Sequence, residues 1–126
     1  MKSPDQQIYD ELFKISLKLG YDTYNYLPPE GTEYPFVFIG EQISTDTVNK
    51  TMVTGEVMQR IHIYGDKDKR RQVTDMMNNL IYQIRKITHT DTFYISIKSL
   101  KKQILLDTST NEILLHGLIE IDFKFN

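Results

Sequence analysis

Residues 113–125, ILLHGLIEIDFKF, decide the fold. Ile113, Leu115, Gly117, Ile119, Ile121, Phe123 and Phe125 hold one parity, while His116, Glu120, Asp122 and Lys124 hold the other. This is the alternation of a β-strand with one buried and one wet face. A sheet covered on one face needs an amphipathic layer over it, and two upstream segments have the right period. In the first, Ser3-Pro4-Asp5-Gln6 reads as a capping box with proline at the first helical position. Ile8, Leu12, Ile15 and Leu19 then follow at helical spacing, with Lys14, Ser16 and Lys18 off the stripe, and Gly20 is placed as the stop. In the second, Val73, Met76, Met77, Leu80, Ile84 and Ile87 mark a helix whose polar side carries Arg70, Arg71, Asp75, Asn78 and Arg85.

Three further segments read as strands. Phe36-Val37-Phe38-Ile39 is apolar at both parities and asks for cover on two sides: the chain's own helices on one, a neighbouring subunit or other partner on the second. Val57, Ile61 and Ile63 alternate with Met58, Arg60, His62 and Tyr64. Phe93, Ile95 and Ile97 alternate with Tyr94, Ser96 and Lys98, after which the apolar phase shifts at Leu100, a mark of a bulge or short break. The order is helix, strand, strand, helix, strand, strand. It predicts an α+β fold: an antiparallel sheet of about four strands, both helices on one face, and a long projecting β-hairpin whose polar tip covers Ser44 to Thr54. Residues 1–126 are expected to form a single domain.

Composition narrows the function classes. The chain has 40% hydrophobic and 25% charged residues, and 15 basic against 17 acidic residues leave a net charge of -2; nothing in this balance points to nucleic acid or a membrane surface. Cysteine is absent, which rules out a disulfide framework, a thiolate zinc site and a thiol nucleophile. The N-terminus lacks an apolar signal core and no run approaches the roughly 18 apolar residues of a membrane span, so a soluble cytosolic protein is expected. His62, His89 and His116 have no acidic partner at ligand spacing and are expected to be exposed, His62 and His116 on the wet sheet face, with no metal bound. The six glycines are scattered and build neither a P-loop nor a dinucleotide fingerprint, and no Gly-x-Ser-x-Gly elbow is present. The expectation is a non-enzymatic protein without cofactors.

What remains points to contacts. LPPEGTE, residues 27–33, is a stiff loop, and Tyr21, Tyr24, Tyr26 and Tyr34 crowd around it; they serve either an interface or the packing of the loop onto its own domain. Lys67 to Arg71 is a basic cluster near the start of the second helix, read either as a solvated first turn or as contact with an acidic partner. The candidate interface residues are Pro28, Pro29, Glu30, Tyr34, Phe36, Phe38, Thr45, Asp46, Asn49, Lys50, Lys69, Arg70 and Arg71.

LPPEGTEYPFVFIGE (27–41), QRIHIYGDKDKRRQVTDMMNNLIYQI (59–84) and NEILLHGLIEIDFKF (111–125), taken together, resemble the tail-completion proteins of long-tailed bacteriophages, the tail terminator or head-to-tail joining family. The likeness spans roughly Tyr21 to Phe125. Its most specific pieces are Pro-Pro-x-Gly before Tyr34-Pro35-Phe36-Val37 and Gly40, the passage Ile61 to Asp66, and His116-Gly117. The resemblance implies a hexameric ring that caps the tail tube and joins tail to head, with the major tail tube protein, the head completion or connector proteins and its own copies as partners. It also implies a place at the tail–head junction of a virion, reached from the host cytoplasm, through which DNA passes without specific binding. The tip 44–54 and the basic run match no family feature. A small adaptor that recognises one protein partner is the alternative.

Overall fold

The computed structural model describes residues 2–48 and 53–126. The elements in chain order are α1 (Pro4–Lys18), β1 (Thr23–Tyr24), β2 (Phe36–Val48), β3 (Val53–Asp66), α2 (Arg70–Ile84), β4 (Ile95–Asp107) and β5 (Leu114–Phe125). They form one five-stranded mixed sheet in the order β1-β2-β3-β5-β4. The pairs β2/β3, β3/β5 and β4/β5 are antiparallel, and β1 runs parallel to β2.

The expectation of four antiparallel strands is therefore corrected by β1, which lies in the stretch read as an irregular connection. Two residues are too short to leave a periodic signal, and hydrogen bonds fix them instead. Val37 N–H donates to Asp22 C=O at 2.8 Å, and the Thr23 hydroxyl lies 2.7 Å from that of Ser16. Ser16, read as off the helical stripe, is fully buried in line with Ile8 and Leu12, its hydroxyl satisfied by Thr23.

Both helices pack on one face of the sheet. Ile8 and Leu12 of α1, and Val73, Met76, Met77, Leu80, Ile81 and Ile84 of α2, are buried against Val37 and Ile39, Val57, Ile61 and Ile63, and Ile119, Ile121 and Phe123. Each fully buried aliphatic side chain contributes about 1.5–3 kcal/mol from removal of apolar area from water. Gly117 belongs to this face because α2 lies close there: a Cβ on it would fall 2.6 Å from Met77 Sδ.

The start of α1 differs from the expected capping box. Ser3 Oγ contacts the Asp5 carboxylate instead of an N-terminal amide, and the Gln6 side chain reaches Asp10 at 2.8 Å. At the other end Gly20, with φ 86°, makes a Schellman stop, with Gly20 N–H bonded to Leu17 C=O and Tyr21 N–H to Ser16 C=O.

β4 is one strand with a register shift between Ile97 and Ser99, the physical origin of the phase shift in its sequence. β2 has its own shift between Ile39 and Gln42. The polar tract after Ile43 reads either as an extended β arm or as a tip disordered when free; β2 and β3 stay paired through Val48↔Val53, and Ser44, Thr45 and Asp46 are strand residues, as the arm reading has it. Of the expected tip, Ser44 to Thr54, residues 49–52 lie outside the described residues, and with them the candidates Asn49 and Lys50.

Candidate functional site

The sheet face turned away from the helices carries the functional candidates. Phe36, Phe38, Arg60, His62, Tyr64, His116 and Glu120 share it by strand alternation, since Phe36 pairs with Tyr64, Phe38 with His62, Tyr64 with His116 and Arg60 with Glu120. Their rings stack in sequence. Centroid separations are 5.3 Å for Phe36–Tyr64, 4.4 Å for Tyr64–His116, 4.9 Å for His116–His62 and 5.2 Å for His62–Phe38.

The expectation of exposed histidines is corrected for His62, which is 8% exposed. Its Nε2 lies 2.7 Å from Glu41 Oε1 and its Nδ1 2.7 Å from His116 Nε2. Glu41 is the acidic partner that spacing did not reveal. The register shift in β2 turns this residue toward Arg60 and His62, a placement invisible to counting along one strand. With Glu41 ionised, neutral His62 carries its proton on Nε2 and accepts at Nδ1 from His116 Nε2–H. Burial, and then the charge on His62, push His116 below its ordinary pKa, while Asp107 and Glu41 pull the other way. Burial raises the pKa of the Glu41 carboxyl, but its own backbone amide, His62 and Arg60 outweigh this and hold it below the usual carboxylate value. Among the described residues no group of His, Asp and Glu is arranged to hold a metal ion.

Behind Glu41 the register shift is braced from the core. Gln59, fully buried, donates through Nε2 to the carbonyls of Gly40 and Glu41 at 3.2 Å and of Arg60 at 3.1 Å, and accepts at Oε1 from Gln42 at 2.9 Å.

The loop before β2 folds over the end of the ring stack. Thr32 N–H donates to Pro29 C=O at 3.2 Å across a turn whose third residue, Gly31, has φ 94°, the type II position that favours glycine. Tyr34 stacks on Phe36 at 5.5 Å, Tyr24 meets Phe36 edge-on at 5.6 Å, and Tyr26 packs on Tyr24 at 6.0 Å. The second cover that Phe36 requires is therefore this chain's own tyrosines, and Phe36 and Pro28 are both buried. This corrects the expectation of a neighbour's surface there, because the aromatic ring is already out of water. Tyr21 packs against the core and accepts a hydrogen bond from Asn79 at 3.1 Å.

The remaining candidates fall into two groups. Glu30 and Tyr34 line a cleft with Glu33, Asp66 and Glu112, and Lys69 lines the adjoining cleft. Arg70 and Arg71 follow Lys69, exposed, in a helical first turn that contains no acid. Burial, then the negative charges of Glu112, Glu30, Asp66 and Asp107, push the Tyr34 phenol up. Thr45 and Asp46 lie at the far end of β2, about 30 Å from Phe36 at some 3.3 Å per residue. Pro29, Glu30, Lys69, Arg70, Arg71, Thr45 and Asp46 are exposed.

No protein-family model matches the chain, and no curated protein matches its sequence. Solved structures do match its fold. A chain from the virion of a native gene transfer agent particle superposes with a TM-score of 0.63 at 10% identity, covering 98% of this chain and 96% of that one. A second solved chain gives a TM-score of 0.59 at 6% identity, with 98% and 97% coverage. At these identities the likeness is one of fold: the whole α+β arrangement recurs, end to end, in both.

Proposed function

We propose that the protein is a structural component of a phage-like virion: it caps the finished tail tube as a ring, a hexamer by the family resemblance, and joins the tail to the head. The observation that carries this reading is the likeness of fold, over nearly the full length of both chains, to a chain from a gene transfer agent virion. It agrees with the resemblance already visible in the motifs of residues 27–41, 59–84 and 111–125.

The chemistry of the surface fits this role. His62 is buried between the rings of Phe38 and His116 and tied to Glu41, which Arg60 also holds, as suits a rigid wall. A net charge of -2 lets DNA pass without grip, since each neutralised phosphate would add salt-dependent affinity. In this reading the loop 27–34, the distal part of β2 and the sheet edges meet neighbouring copies, the tail tube protein and the head connector, and the chain performs no catalysis.

Electron microscopy of the purified protein mixed with tail tubes tests the proposal. Caps at one end of each tube, and head joining that depends on them, are the expected result. Tubes whose ends stay bare at saturating protein refute it.

A further inference from the structure

A row of charges crosses the open face of the sheet. Lys101 on β4 stands opposite Glu120 on β5, and Glu120 stands opposite Arg60 on β3. Arg60 reaches Glu120 at 3.0 Å and Glu41 on β2 at 3.3 Å. The signs alternate from positive at β4 to negative at β2, so the row ends in opposite charges at the two edges of the sheet.

The backbone at both edges is open among the described residues. The outer side of β2 is paired only at Val37 and Phe38, by β1, and the outer side of β4 is engaged only at its start, where Ile95 N–H donates to Thr88 C=O at 3.0 Å. Unpaired N–H and C=O groups on an edge strand are a template for another strand. The direction also fits. From β2 through β3 and β5 to β4 each step is antiparallel, so β4 runs opposite to β2. A second copy turned about an axis along the strands presents its β2 antiparallel to β4 of the first.

We infer that copies of this chain join head to tail, the β2 edge from Gly40 to Asp46 of one adding to the β4 edge from Ser96 to Lys102 of the next, with Glu41 beside Lys101 across the junction; this is the stretch left open between β1 on one strand and the Ile95–Thr88 bond on the other. Charge selects this pairing over the symmetric ones. The β2 edge carries Glu41 and Asp46 and no base, whereas β4 carries Lys98, Lys101 and Lys102 against a single terminal acid, Asp107. Two β4 edges would set lysine against lysine, and two β2 edges acid against acid, arrangements that destabilise cross-strand pairs. Lys98 is engaged by Glu56 and Lys102 by Asn78, so Lys101 is the lysine presented at the end of the row. Apolar surface accompanies the charges, with Ile43 59% exposed on β2. The register shifts in both edge strands discourage indiscriminate addition. Such an interface is heterologous and builds closed rings or open filaments; only the closure rests on the ring reading above.

The chain has no cysteine, so introduced thiols report without background. Ile43 and Ser99 lie on one row across the sheet, Ile43–Met58–Asp122–Ser99, separated by three strand spacings or about 14 Å, beyond disulfide reach within one chain. Mild oxidation of full-length I43C/S99C is expected to give a ladder of multiples, and a mixture of the two single variants a dimer containing one of each. Homodimers of either single variant in equal yield, or no cross-linking, would overturn the inference.

Lys101→Glu and Glu41→Lys should each weaken association of the folded protein by roughly tenfold, and an equimolar mixture of the two should recover it, because each then meets its complement. Association unaffected by either change, or unrecovered on mixing folded variants, overturns the pairing. Capping of tails that ignores both substitutions would sink this inference and leave the virion reading standing. Cross-linked assemblies that leave tail tubes bare would do the reverse.

Discussion

Replacing Gln59 by leucine tests how the β2 register shift is held. Gln59 is fully buried, and its amide serves four groups: three carbonyls share its two Nε2 protons, and Gln42 donates to its oxygen. Leucine has nearly the same volume, so the change opens no large cavity and the loss is one of hydrogen bonding. Two protons and one acceptor disappear. Each buried polar group left short costs about 1–3 kcal/mol. Gln42 keeps its bond to the Asp5 carbonyl at 2.9 Å, which limits the damage on that side. The two carbonyls of Gly40 and Glu41 dominate, and added apolar burial offsets part of their cost, giving a net loss of about 3 kcal/mol. Urea melts at constant slope should report that difference, and thermal melts a fall of about 10 °C for a chain of this size. Gln59→Glu should be worse still, because a carboxylate would face three carbonyl oxygens. A leucine variant as stable as the parent, or a glutamate variant more stable than leucine, would refute the assignment of Gln59 as the brace.

Three other outcomes follow from the same geometry. His116 has a folded-state pKa below its unfolded value, so the folded state binds fewer protons; stability should fall as pH drops from above about 6.5 through that lower value and then level off, and His116→Asn should flatten this slope in melts taken across the window. Gly55→Ala should destabilise by about 2–3 kcal/mol, because the added Cβ runs into the Thr45 carbonyl oxygen and meets the Phe125 ring at 2.8 Å; a melt within about 0.5 kcal/mol of the parent would refute this close approach. Gln7 ties α1 to residues 90–92 by accepting from Thr90 Oγ1 at 2.7 Å and Thr92 N–H at 3.1 Å, so Gln7→Ala should raise hydrogen exchange at the Thr92 amide, and unchanged protection would count against the tie.

The elements with a sustained period were legible in the sequence. Within ILLHGLIEIDFKF, β5 runs from Leu114 to Phe125 with Leu115, Gly117, Ile119, Ile121, Phe123 and Phe125 buried as expected, while Ile113 lies before it and is 47% exposed, and the apolar stripes of both helices face the sheet. The phase shift near Leu100 announced the irregularity in β4. What escaped was set by contacts distant in sequence. β1 is held by the Asp22 carbonyl and Ser16, not by its own pattern. Glu41 reaches His62 only because β2 shifts register, and the charge row needs the pairing of four strands before Lys101, Glu120, Arg60 and Glu41 fall into line. Arg60 and Glu120 did occupy the polar parity of their strands, which was the one local signal of that face. The crowded tyrosines admitted two readings; the rings of Tyr24 and Tyr34 pack on Phe36 of the same chain, while Tyr26 touches Tyr24 and stays 59% exposed.

The two-residue strand β1 has an effect larger than its length. By occupying the outer side of β2 at Val37 and Phe38, it leaves that edge bare only from Ile39 onward. Backbone pairing with an arriving strand ends there, as a sliding door is halted by its stop. A run of backbone that would otherwise accept many alignments thereby keeps one fixed end, and the offset between an incoming strand and the sheet is measured from Phe38.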